Sequence, residues 1–167
     1  MPKPIAFFFV GVPASGKSSF RNEVLDRLEN TIVISGDDIV MEMADGEGLD
    51  YQAAFEKYAD KSKEEILNRV SWAVESGANI LWDQTNLTEI DRAEKMRLIG
   101  DDYEFIAVSF EVDDDVLEKR LANREKTEGK HIPAEIFASM KAKYERPEFA
   151  EGFENIMIVT DTGSFYL

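Results

Sequence analysis

The chain has 167 residues, 44% of them hydrophobic, no cysteine and a formal net charge of −15. This size and composition fit a single folded domain with one sizeable core, and exclude disulfides, thiolate metal sites and a disordered chain. No apolar run approaches the ~18 residues of a membrane span, and the acidic balance weighs against broad attraction to nucleic-acid phosphates.

No signal-peptide pattern opens the chain, and the absence of cysteine is compatible with a reducing cytoplasm, so a cytoplasmic protein is expected. The first apolar run, Ile5–Val10, reads as a buried strand. It runs directly into Gly11-Val-Pro-Ala-Ser-Gly16-Lys17-Ser18, and a helical pattern follows over 17–29. This is the G-x-x-x-x-G-K-[ST] phosphate-binding loop in its required strand–loop–helix setting. Its glycines let successive backbone N–H groups turn inward toward phosphate oxygens, and the helix adds its positive dipole end. Gly11, Pro13, Ala14, Ser15, Gly16, Lys17, Ser18 and Ser19 are therefore candidate ATP contacts. Lys17 would reach the β- and γ-phosphates, and the Ser18 hydroxyl would sit on Mg²⁺.

The next strand candidate, 31–35, leads through Gly36 to Asp37 and Asp38, with a helix over 38–44. A carboxylate at a strand end facing a nucleotide can accept a substrate hydroxyl proton. Asp37 takes that base role here and Asp38 the helix cap. A long helix follows over 51–76, with Phe55, Ala59, Ile66, Val70 and Ala73 on one face, Ser62 interrupting it and Gly77 ending it. The strand Asn79–Asp83 ends on a carboxylate in the manner of a Walker B strand, whose Asp orients Mg²⁺ and its water. Thr85 and Asn86 could bind substrate or fix the turn. Trp72 and Trp82 are expected in the core, with Trp82 also able to line a site.

Beyond a helix over 88–99 and a strand over 104–111, helices are expected over 113–123 and 133–145, and a last strand over 155–160. Residues 117–146 carry eight Lys/Arg against five Asp/Glu, so this segment is basic in an acidic chain. Arg120 and Arg124, four apart, share a helix face and could close on a transferring phosphoryl group. With Lys126, Gly129 and Lys130 they suggest a lid over about 117–146. A solvated helix with Glu118 and Glu125 as partners is the plainer alternative. His131 is the sole histidine, which rules out a histidine metal cluster.

Strand–helix alternation argues for an α/β three-layer sandwich with a five-stranded, mainly parallel sheet and a helical lid, as one domain over 1–167. Gly11, Asp37 and Asp83 fall at or just past strand carboxyl ends, where such sheets bind ligands.

With these residues in place, the chain resembles the kinase domain of phage-type polynucleotide 5′-hydroxyl kinases. The resemblance spans nearly the whole chain. It rests on Gly11–Ser18, Ser35-Gly-Asp37-Asp38, Asp83-Gln-Thr85-Asn86-Leu87, Lys119-Arg120 through Arg124, and Gly129-Lys-His-Ile-Pro133 with Ser139-Met140. It implies a P-loop NTPase fold, ATP and Mg²⁺ handled by Lys17 and Ser18, and Asp37 as general base. It also implies that Asp83 is an active-site carboxylate, that Arg124 acts on the transferred phosphoryl group, and that the setting is a host cytoplasm if the source is a phage. Two positions depart: family arginines stand where this chain has Gly36 and Val40, and 41–50 is acidic. The expected reaction is ATP-dependent transfer to a nucleic-acid hydroxyl, a 5′ end in the first instance. A hydroxymethylated base, a nucleoside or another small alcohol are alternative acceptors, and a non-catalytic ATP-binding module is the contrasting class. The oligomeric state is left open.

Overall fold

The computed structural model describes residues 2–163, and residues 165–166 by backbone alone. In chain order the elements are β1 (Ile5–Val10), α1 (Lys17–Val24, continued by a 3-10 turn Leu25–Arg27), β2 (Thr31–Ile34), α2 (Gly36–Met43), α3 (Tyr51–Ser76) and β3 (Asn79–Asp83). They continue as α4 (Glu89–Ile99), β4 (Glu104–Glu111), α5 (Asp114–Glu128), α6 (Ala134–Lys143), β5 (Asn155–Thr160) and β6 (Phe165–Tyr166). Strand order is β2-β3-β1-β4-β5-β6. The first five strands are parallel, as expected, and β6 adds an antiparallel edge against β5 that was not foreseen.

Alternation along the strands divides the core into two layers. Ala6, Phe8 and Val10 of β1 face Val70 and Ala73 of α3, together with Trp82, Ile99 and Phe153. Phe9 faces the other way, with Leu81, Val108 and Phe110, against Phe20 of α1 and Leu28. The rings of Phe9, Phe20 and Phe110 meet edge to face at 5.2–5.8 Å between centroids. Helices thus cover both sheet faces, and the three-layer expectation holds.

Two packing expectations change. The inward face of α3 is Ala54, Tyr58, Ser62, Val70 and Ala73, whereas Phe55 is 43% exposed. Ser62 is tolerated inside because its hydroxyl donates to the Ala59 carbonyl at 2.8 Å, which satisfies the donor. The first half of α3 packs on α2 rather than on the sheet: Val40 and Ala44 of that region bury against Ala54 and Tyr58. Trp72 is not a core residue, being 62% exposed, whereas Trp82, 2% exposed, is.

Candidate active site

The three strands β2, β3 and β1 are neighbours, so their carboxyl ends bring Gly36–Asp38, Asp83 and Gly11 to one sheet edge. Parallel pairing sets Phe9 of β1 opposite Asp83 of β3, and so places the carboxylate beside the start of the loop. A cleft of about 1120 Å³ opens there. Ser15 through Ser19, Asp37, Asp83, Arg120 and Arg124 all line it, as do Pro13 and Ala14.

The loop needs its glycines. A Cβ on Gly11 would stand 2.6 Å from Ser15 Oγ and 3.1 Å from Phe110 Cβ. Gly16 has φ 103°, and Ala14 also adopts a positive φ, 65°. Gly16 caps α1 without any side-chain acceptor, so the first N–H groups of α1 remain available to an anion. Lys17 curls back over the loop and donates to the carbonyls of Gly11 at 2.8 Å and Val12 at 2.7 Å. Burial pushes its ammonium down to about 8, with Asp83 opposing the fall and Arg124 adding to it.

Asp83 is nearly buried, and burial raises its pKa against the pull of Arg21 and Lys17. Arg21 Nη1 lies 2.8 Å from Asp83 Oδ2 and equally 2.8 Å from Asp38 Oδ2. This corrects the role given to Asp38. The α2 cap is Ser35, whose hydroxyl accepts from the Asp38 N–H at 3.3 Å, while the Asp38 carboxylate turns to Arg21. Arg21 is a site residue that the motif reading missed, since a lone arginine on the first helix has no pattern of its own. Ser18 and Asp83 suit Mg²⁺, a hard ion that prefers oxygen ligands and takes most of its shell from phosphates and water. The described residues hold no cluster of three His, Cys, Asp or Glu side chains able to form a metal site.

Asp37, half-exposed, faces the cleft from the first turn of α2. The Tyr51 hydroxyl donates to its Oδ1 at 2.9 Å, and Lys130 Nζ stands 3.9 Å from Oδ2 and 4.7 Å above the Tyr51 ring. Burial, then the Asp37 charge, pushes the Tyr51 phenol well above its usual range, so it stays a donor. Tyr51 is a second residue the sequence did not single out.

Arg120 reaches the loop itself: Nη1 donates to the Ala14 carbonyl at 3.5 Å and Nη2 to that of Asp161 at 3.2 Å. Arg124 lines the cleft and its charge acts on both Lys17 and Tyr51, while Nε lies 3.3 Å from Glu128. The expected partners Glu118 and Glu125 are not theirs; Glu125 pairs with His131 at 3.0 Å. Arg120 and Arg124 of α5 therefore turn toward the loop and the cleft, while Lys119, Lys126 and much of the α5–α6 segment stay exposed.

Asn86 is architectural, and Thr85 fixes the turn through its backbone while it also lines the cleft. The Thr85 carbonyl accepts from the Gly11 N–H at 3.0 Å. Asn86 is fully buried at φ 47°, and its amide donates to Phe9 at 2.7 Å and Trp82 at 3.2 Å. The Asn86 carbonyl accepts from the fully buried Arg92, which also forks onto Glu151 with both contacts at 2.7 Å. Leu87 packs with Val12 and Leu117. This turn locks the loop, β3, α4 and the segment after α6 together.

The chain matches the AAA-domain family over residues 7–147 and belongs to it. The fold recurs in solved structures. A candidate kinase from Chloroflexus aurantiacus J-10-fl has a TM-score of 0.73 at 18% identity, over 97% of this chain and 87% of that one. A chain of the Pnkp1/Rnl/Hen1 RNA repair complex gives 0.69 at 20% identity, over 86% of this chain but only 44% of its own length. A gluconokinase from Sinorhizobium meliloti 1021 gives 0.56 at 17% identity, over 96% and 84%. No curated protein matches the chain. The common feature is a P-loop kinase-like fold, which implies nucleotide binding and suggests phosphotransfer; acceptors differ among its bearers. No helix among the described residues is long and apolar enough to cross a membrane.

Proposed function

We propose that the protein is an ATP-dependent kinase that moves the γ-phosphate to an alcohol hydroxyl. One observation carries this reading: a complete phosphate loop and a carboxylate held by a tyrosine line the same cleft. In this scheme the loop N–H groups and Lys17 hold the phosphates, while Ser18 and Asp83 would be the protein ligands for Mg²⁺. The ion would supply neutralisation of the negative charge that develops during transfer. Asp37 takes the acceptor proton while Tyr51 orients its carboxylate. Arg120 and Arg124 stabilise negative charge on the phosphoryl group, and the α5–α6 segment acts as the lid. A pure ATP-binding module would have no use for a base fixed in this way.

A polynucleotide end as acceptor rests on two supports, the motif resemblance and the RNA-repair neighbour. The most specific of those motifs after the phosphate loop, Asp83 through Leu87, is divided: Asn86 and Leu87 are buried in the architecture, whereas Asp83, Gln84 and Thr85 line the cleft. Its buried half speaks for the fold, and its cleft-lining half serves a phosphotransfer site without naming the acceptor. The test is transfer of label from γ-labelled ATP to 5′-hydroxyl oligonucleotides, hydroxymethylated duplex, nucleosides and free sugars. Acceptor-dependent transfer that falls at least ~10²-fold in Lys17→Ala supports the kinase. Wild-type turnover in that variant would sink it.

A further inference from the structure

On the alcohol-kinase reading, we infer that the acceptor is an uncharged alcohol with a flat apolar face, such as a nucleoside or a free sugar. A phosphate elsewhere on the acceptor is selected against. The wall next to Asp37 is aromatic. Tyr51 and Phe55, one turn apart on α3, lie with ring centroids 6.0 Å apart and a 30° tilt. The hydrogen bond from Tyr51 to Asp37 fixes the first ring beside the base, and the second is left largely exposed on the cleft. Ile136 of α6 lines the same cleft and is 50% exposed. The exposed Phe55 ring and Ile136 side chain, beside a Tyr51 ring covered by Lys130, suit a substrate ring with an apolar face.

The charges at this end point the same way. Lys130 is shared between Asp37, Glu128 and the Tyr51 ring. Arg21 is held by two carboxylates and Lys95 by Asp91 and Asn86. A phosphate entering here would compete with carboxylates for Lys130, Arg21 and Lys95 while facing the half-exposed Asp37 and Asp38, and the remaining cleft cation Arg124, beside Glu128, is the one given to the transferred phosphoryl group. Helix α2 offers no cation of its own near the base. Val40 is buried against α3, and a Cβ on Gly36 would already stand 3.1 Å from Gln84 Nε2. A neutral acceptor meets no such penalty, and discrimination arises from rejecting the charged competitor. In the reaction the acceptor hydroxyl gives its proton to Asp37 and its oxygen bonds to the γ-phosphorus. The bond from that phosphorus to the β-bridging oxygen breaks, and ADP leaves.

The test divides a cell extract into uncharged small molecules, anionic small molecules, nucleic acids and proteins. Each pool is incubated with wild-type protein and γ-labelled ATP. The expected result is label in the uncharged pool at about tenfold or more the rate of any other. With the labelled acceptor purified, Phe55→Ala raises its KM about tenfold and leaves the KM for ATP unchanged, and Phe55→Trp restores it. Preferential label in the anionic, nucleic-acid or protein pool overturns the inference and leaves the kinase standing. An unchanged acceptor KM in Phe55→Ala overturns the aromatic platform. No label in any pool contradicts the kinase reading itself, and this inference falls with it.

Discussion

The two halves of the cleft are built by different means. The nucleotide half is mostly backbone: a loop with two positive-φ residues, an uncapped helix start and carbonyls that park Lys17. The half proposed for the acceptor is mostly side chains, with Asp37, Tyr51, Lys130 and Phe55 drawn from α2, α3, the α5–α6 connection and again α3. A backbone site recognises what all nucleoside triphosphates share and tolerates little change in sequence. A side-chain site can be rebuilt for a new acceptor without disturbing the loop.

The sharpest way to break this contrast is at its seam. Arg124 lines both halves, and on this account Arg124→Ala lowers kcat about 10³-fold or more, the scale of an arginine acting on the transferred group. A variant with normal kcat would return Arg124 to the role of a solvated helix residue paired with Glu128.

Next in size is the architecture beneath the loop. Arg92→Met leaves Glu151 buried and unpaired and strips a donor from the Asn86 carbonyl. It should cost about 3–5 kcal/mol of stability in chemical denaturation. A loss below 1 kcal/mol would mean that the Asn86 turn does not depend on this fork.

A smaller effect separates the halves directly. Tyr51→Phe removes the donor to Asp37 but keeps the ring, so kcat should fall about tenfold while ATP affinity stays level. Equal losses in both would show that the halves are not independent.

The smallest effect is on pH. The ammonium of Lys17 must be charged to attract phosphate, and its pKa of about 8 in the free protein rises when an anion binds. ATP binding therefore takes up a proton near and above pH 8, and affinity falls as pH rises through that value. Calorimetry at pH 7 and pH 9 should differ up to about tenfold, the limit for one proton per unit. Identical isotherms would mean that Lys17 titrates at its ordinary value.

The nucleotide half was legible in the sequence because its physics is local: eight consecutive residues carry the loop, and the strand before and helix after it read directly. The five parallel strands were legible for the same reason, each being a short apolar run. The acceptor half was not. Tyr51 reaches Asp37 only because α3 folds back on α2, and Arg21 finds Asp38 and Asp83 only once β2 and β3 lie side by side. Asp38 read as a cap because Asp is favoured there, yet Ser35, one residue earlier than Gly36, had the better position. The buried Ser62 and the exposed Trp72 escaped a pattern that counts only apolarity, since a serine can satisfy itself on its own helix.

The central claim is that one cleft binds ATP with its loop and activates an alcohol with Asp37. It is tested most directly in Asp37→Asn, by label transfer at ATP concentrations shown by its own binding isotherm to be saturating. The account predicts a wild-type isotherm and transfer reduced about 10²–10⁴-fold, the range of general-base catalysis. Undiminished transfer with the isotherm intact would contradict it.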